Sequence, residues 1–71
     1  MSTEVTAPMS GSIWKIHVKE GDKVRFEDEL VILEALKMEN PIYAPADGTI
    51  AEIKVSEGAK VETNDVILVL E

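Results

Sequence analysis

The sequence predicts an all-β fold, a flattened barrel-sandwich of two four-stranded antiparallel sheets with an internal pseudo-two-fold axis. Three observations carry this. The segment 7–34 aligns without a gap on the segment 44–71 at a constant shift of 37 positions, with Ala7/Ala44, Pro8/Pro45, Gly11/Gly48, Ile13/Ile50, Gly21/Gly58 and Val24/Val61 among the identical pairs. Inside each copy, short runs rich in Ile, Val and Leu are punctuated by Pro, Gly and Asp, the pattern of strands between tight corners. Only one Trp, one Tyr and one Phe occur in a chain that is 45% apolar, so the core must be built from aliphatic side chains.

In chain order, residues 1–3 are short and polar and are expected to fray. Copying Ile42-Tyr43 back onto Val5-Thr6 starts the first strand near Glu4. Pro8 to Gly11 and Pro45 to Gly48 then mark matching corners. Asp47-Gly48 is the stronger turn dipeptide, because both residue types tolerate positive φ, and Ser10-Gly11 is its weaker counterpart. Half-buried strands are expected over Ile13 to Lys19 and Ile50 to Ser56. Ile16 and Val18 share a face against Lys15, His17 and Lys19, as Ile53 and Val55 do against Glu52 and Lys54. Each strand breaks at a glycine, Gly21 or Gly58, where a left-handed backbone angle would require one. Val24 and Val61 follow and return to the core.

The segment Glu27 to Glu39 pulls in two directions. Its Glu, Leu, Ala, Lys and Met are good helix formers, and Asn40-Pro41 would stop a helix. Its sister at the fixed shift, Asp65-Val66-Ile67-Leu68-Val69-Leu70, reads as a buried strand. Gapless repeats fold alike, so both are assigned as strands. A hairpin turn is then expected at Ala35 to Met38, and its symmetry mate is the open pair of chain ends. One tight turn should project at one end of the molecule, with both termini at the other.

The totals restrict function. Seventy-one residues form a single domain, 1–71, with a core just large enough to fold. A net charge of -7 repels phosphate, which argues against nucleic acid and anionic membrane surfaces as partners. The chain has no cysteine, so disulfides, thiolate metal sites and thiol catalysis are out, and with His17 as the one histidine so is a multi-histidine metal site. No export signal or membrane-length apolar run is visible, and a cytoplasmic location is expected. Trp14 interrupts the alternation beside Ile13 and is expected to cover one end of the core, with a docking contact as the alternative. His17 reads as a surface histidine.

Lys37 remains, alone in the connector between the copies. A two-residue turn fixes the backbone through its flanking strands and sends the side chain into solvent. A lysine in water is an ammonium at neutral pH and a poor nucleophile, so this one suits the role of substrate for another enzyme better than that of catalyst. The run Glu34-Ala35-Leu36-Lys37-Met38-Glu39 resembles the attachment sequence of the biotin/lipoyl-attachment domain family. The resemblance extends from about Glu4 to Glu71 and includes Ala7-Pro8-Met9-Ser10-Gly11, Glu20-Gly21-Asp22-Lys23-Val24 and Ala44-Pro45-Ala46-Asp47-Gly48.

Biotin-bearing members of that family usually show Ala-Met-Lys-Met, whereas lipoyl-bearing members place an Asp before the lysine and a small residue after it. Ala35, Lys37 and Met38 match the biotin pattern, and Leu36 replaces the first methionine at nearly constant volume. Ser10 stands where many members have a second proline. There is no insertion between the early strands like the protruding thumb of some bacterial carriers, so the chain looks more like the thumbless carriers and small stand-alone attachment proteins. The resemblance implies a non-catalytic biotin carboxyl carrier. A biotin protein ligase, reading Glu34, Ala35, Leu36, Met38 and Glu39, would link biotin to Lys37. The domain would then shuttle carboxybiotin between the biotin carboxylase and carboxyltransferase components of a carboxylase, decarboxylase or transcarboxylase. Lipoate on Lys37 is the alternative cofactor, and an unmodified interaction module is the second alternative.

Overall fold

A computed structural model of the chain describes residues 2–71. Eight strands follow one another: β1 (Thr3–Thr6), β2 (Gly11–Ile16), β3 (Lys23–Val24), β4 (Glu29–Ala35), β5 (Met38–Tyr43), β6 (Gly48–Ile53), β7 (Lys60–Val61) and β8 (Val66–Leu70). They form two antiparallel four-stranded sheets, ordered β1-β8-β6-β3 and β5-β4-β2-β7. Applying the 37-residue shift to one order produces the other, strand for strand. The repeat in the sequence is therefore a repeat in space.

Backbone hydrogen bonds obey the same relation. The Ala7 N–H donates to the Asp65 carbonyl at 2.9 Å, and the Ala44 N–H to the Asp28 carbonyl at 2.8 Å. The Gly21 N–H reaches the Ile50 carbonyl at 2.8 Å, and the Gly58 N–H the Ile13 carbonyl at 2.7 Å. These bonds run between the copies, so each half completes the other's sheets. Two carboxylates extend the exchange: Glu57 accepts from the Ile16 N–H at 3.0 Å and Glu20 from the Ile53 N–H at 3.1 Å.

The core lies between the sheets. Ile13, Leu30, Val31 and Leu33 are fully buried, and so are their counterparts Ile50, Ile67, Leu68 and Leu70. Adjacent residues Leu30 and Val31 are both inside because the pairing of β4 with β5 shifts register between Glu29 and Val31. Such a bulge turns two consecutive side chains to one face. Burial on this scale contributes roughly 1.5–3 kcal/mol per aliphatic side chain, more than the differences in local propensity that favoured a helix over Glu27 to Glu39.

Several sequence expectations need correction. Thr3 does not fray: it pairs with Leu70, because the end of β8 offers it a backbone partner. Met1 lies outside the described residues. The strands expected over Ile13 to Lys19 and Ile50 to Ser56 begin two residues earlier and end three earlier, at Ile16 and Ile53. At those residues the N–H groups donate to the Glu57 and Glu20 carboxylates, and one last main-chain bond follows in each copy, from His17 to the Leu30 carbonyl at 2.9 Å and from Lys54 to the Ile67 carbonyl at 2.8 Å. Gly21 and Gly58 do adopt positive φ, 94° and 90°, whereas Gly11 and Gly48 do not. At these two the reason for glycine is close approach. A Cβ on Gly11 would collide with the Glu34 carbonyl oxygen, and one on Gly48 would stand 2.9 Å from that of Glu71. Trp14 is 44% exposed instead of capping the core. It occupies the bulge between Ile13 and Lys15, which leaves both inward directions to Ile13 and Ile16.

The termini and the β4–β5 turn lie at opposite ends. Leu70 faces Thr3, and Glu71 exchanges backbone bonds with Thr49 at 2.7 and 2.8 Å. Beside Thr49, the Asp47 carboxylate accepts from the Phe26 N–H at 2.7 Å, just before β4 begins. Seven strand residues then carry the chain about 20 Å away, to the turn. The molecule is correspondingly elongated, 32 × 17 × 17 Å.

Candidate functional site

Between β4 and β5 only Leu36 and Lys37 stand outside the ladder, with Ala35 facing Met38 and Glu34 facing Glu39. Leu36 has φ 53° and Lys37 φ 62°. Two successive left-handed residues make a type I′ turn, whose twist matches that of the flanking strands. Neither residue is Gly, Asn or Asp, and side chains of this kind cost about 1–2 kcal/mol each in that region. Nothing in the sequence marked these dihedrals, since the usual Asn-Gly or Asp-Gly signal is missing. The repeat alone pointed to the turn.

The surroundings offset that cost. Ala35 is buried beneath the turn, on the side where β2 starts. Gly11, the first residue of β2, lies so close that a Cβ there would be 3.1 Å from the Ala35 Cβ, besides striking the Glu34 carbonyl. On β5, the carboxamide nitrogen of Asn40 donates to the Met38 carbonyl at 3.2 Å and, at 3.5 Å, to that of Leu33. The sequence showed Asn40 only as a possible helix stop. Its position facing Leu33 becomes meaningful once the strand register is known.

What the turn presents is apolar, with charge behind it. Leu36 is 90% exposed and Met38 64%, on either side of the exposed Lys37. Glu34 and Glu39 are exposed one pair further back. Among the described residues the ion pairs are His17–Glu29 at 3.9 Å and Lys54–Glu52 at 3.3 Å, and neither engages Lys37. The structure thus brings together all six residues singled out from the sequence, but it separates their roles. Leu36, Lys37, Met38, Glu34 and Glu39 are open to a visitor. Ala35 is not, and it acts through its small size against Gly11. An amine in this setting can be surrounded on every side by another protein's active site, and none of the described residues pairs with it.

The family model described as "Biotin-requiring enzyme", for biotin and lipoyl attachment, matches residues 1–70. Among curated proteins, the biotin/lipoyl attachment protein of Bacillus subtilis is 50% identical over 38 residues, 54% of this chain and 52% of that protein. The gamma subunit of glutaconyl-CoA decarboxylase from Acidaminococcus fermentans is 56% identical over 41 residues, 58% of this chain and 28% of the subunit. The chain thus matches about half the length of the first relative and less of the second. Among solved structures, the urea carboxylase of Kluyveromyces lactis superposes with a TM-score of 0.94 at 28% identity, over 100% of this chain and 6% of that one. A single-chain, multi-domain long-chain acyl-CoA carboxylase does so with a TM-score of 0.91 at 29% identity, over 96% and 7%. An exposed lysine on a type I′ turn, at the junction of two matched β halves and within a family match over residues 1–70, places the protein in the biotin/lipoyl-attachment family, the family of biotin-requiring enzymes.

Proposed function

We propose that Lys37 accepts biotin and that the chain works as a biotin carboxyl carrier, serving partner active sites without catalysing a step itself. The observation that carries this is the unpartnered ammonium of Lys37 on a backbone held from both sides by paired strands. Names among the relatives, a decarboxylase subunit and two carboxylases, support the choice of biotin. The site fits such a group because the turn is open all round and its neighbours, Leu36 and Met38, offer apolar contact to an enclosing enzyme.

The chain's own part in the chemistry is placement. A ligase has to remove a proton from the Lys37 ammonium before the amine can attack an activated biotinyl carbonyl, and among the described residues no base is paired with Lys37 to do so. Biotin, when bound, supplies the nitrogen that holds a carboxyl group in transit. The rigid turn limits where that group can travel, which raises its local concentration at the carboxylase and carboxyltransferase subunits that the carrier visits. Leu36, Met38, Glu34 and Glu39 form the surface a biotin protein ligase would read.

Whole-protein mass after co-expression with a biotin ligase tests the proposal. A single biotinyl increment is expected, and Lys37→Arg should abolish it while leaving the fold intact, because the side chain is exposed and, among the described residues, makes no ion pair or hydrogen bond. A lipoyl increment from the native host would reassign the cofactor. An unmodified Lys37 after exposure of the folded protein to both ligases would end the carrier reading.

A further inference from the structure

The turn that carries Lys37 is conformationally costly, and its closure depends on few groups. The internal symmetry supplies a control. Asn40 lies at the position of Thr3 in the other copy, and both stand on edge strands, β5 and β1. Among the described residues Thr3 makes no side-chain hydrogen bond. The Asn40 carboxamide makes two, to Met38 at 3.2 Å and to Leu33 at 3.5 Å, the shorter being much the stronger. Met38 closes the turn and Leu33 belongs to the opposite strand, so one side chain spans the hairpin directly below its tip. The scaffold functions of the two positions are the same, and the added amide bonds occur only where a lysine is presented.

We propose that Asn40 is a positioning residue for modification of Lys37, holding the left-handed turn shut so that the amine is offered in one orientation. The part concerning ligase kinetics rests on Lys37 being the biotin acceptor, whereas the part concerning turn closure does not. An open turn is not a substrate. The apparent KM for the carrier therefore rises by the inverse of the closed fraction, while kcat, set after the closed form has bound, stays put. A hydrogen bond of this kind is worth roughly 0.5–1.5 kcal/mol, about twofold to tenfold in the closed-to-open ratio. With two left-handed side-chain-bearing residues opposing closure, the proposal has the turn mostly open once the amide is gone, so the closed fraction falls nearly as far.

The experiment uses the whole unmodified chain, a purified biotin ligase, biotin and ATP. Asn40→Thr installs the residue of the symmetry mate, which keeps strand propensity and removes the amide. KM for the carrier should rise about twofold to tenfold with kcat unchanged. Amide exchange should quicken by a similar factor at residues 36–39 and stay unchanged in β6 and β8. An unchanged KM, or exchange rising evenly over the whole molecule, would overturn the proposal. A second variant guards against a purely structural effect. Glycine adopts positive φ without steric cost, so in a Leu36→Gly background Asn40→Thr should raise KM by less than it does alone. Equal increments in the two backgrounds would mean that Asn40 does not act through the turn. If the unsubstituted chain takes up no biotin, the acceptor reading fails, and the exchange data still decide whether Asn40 closes the turn.

Discussion

The ends of β4 and β8 are the same position in two copies of one unit, yet they finish differently. β4 runs through Glu34 and Ala35 into a closed turn that bears an amine, whereas β8 runs through Leu70 into Glu71, held by Thr49 beside the chain termini. Beneath both ends a glycine starts the neighbouring strand, and behind both the same aliphatic quartet fills the core. Duplication thus accounts for the scaffold, and the departures from duplication mark what the molecule is for. Asn40 against Thr3 is one such departure, and the two-residue link between β4 and β5 is another.

The comparison can be broken most forcefully in the core. Leu33 and Leu70 are symmetry mates, both essentially inaccessible. If the scaffold is equivalent in the two halves, Leu33→Ala and Leu70→Ala should destabilise by similar amounts, about 2–5 kcal/mol each. In a domain this small either change takes most of the folding free energy. Denaturant midpoints for the two variants check this. A gap above about 2 kcal/mol would mean that one half, not the pair, carries the fold.

The glycines should separate the halves. Gly11→Ala drives a methyl into the Glu34 carbonyl and against Ala35, both fixed within the β4–β5 hairpin. Gly48→Ala meets the Glu71 carbonyl at 2.9 Å, a longer approach, and its next neighbours stand back at 3.6 and 3.7 Å. We expect about 1–3 kcal/mol for the first and less than about 1 kcal/mol for the second. The first should also slow biotinylation, because the displaced carbonyl lies two residues before the turn's first left-handed position. Thermal melts together with ligase assays on both variants decide the matter. Equal costs would show that close packing under the turn has no special part in holding it.

How much of this was legible in advance follows from what a sequence repeat can and cannot encode. The 37-residue shift predicted the strand character of Glu29–Ala35 against its own helix-forming residues, since tertiary pairing within a duplicated unit outweighs single-residue propensity. It also predicted the turn and the remote termini. It misplaced the ends of β2 and β6, where the N–H groups of Ile16 and Ile53 meet the Glu57 and Glu20 carboxylates, 41 and 33 positions away, contacts that no local pattern shows. The purpose of Gly11 and Gly48 was misread for a related reason. Turn chemistry is local and visible in a dipeptide, whereas a close approach between strands exists only after packing. Trp14 was expected to cover one end of the core, and a one-residue bulge turned it out. Asn40 is the clearest instance: its amide matters through a carbonyl seven positions back, which only the register of the hairpin brings near.

The smallest effect tests whether the exposed side of the turn is read for shape or only for apolar character. Leu36 is 90% exposed, so Leu36→Met changes almost no packing and should shift stability by less than about 0.5 kcal/mol. Both side chains are unbranched at Cβ, and the left-handed φ of 53° costs them much the same. Any change in labelling must therefore arise at the ligase surface and not in the carrier. Methionine matches leucine in volume and adds a flexible thioether, which adapts to a partner's contours more readily than a branched isobutyl group does. Biotinylation of Leu36→Met should proceed at the same rate or faster, measured as kcat/KM beside the parent chain. A marked loss would show that the enclosing enzyme recognises the branched side chain itself, and position 36 would then join Lys37 as a residue where the turn is specific and not merely exposed.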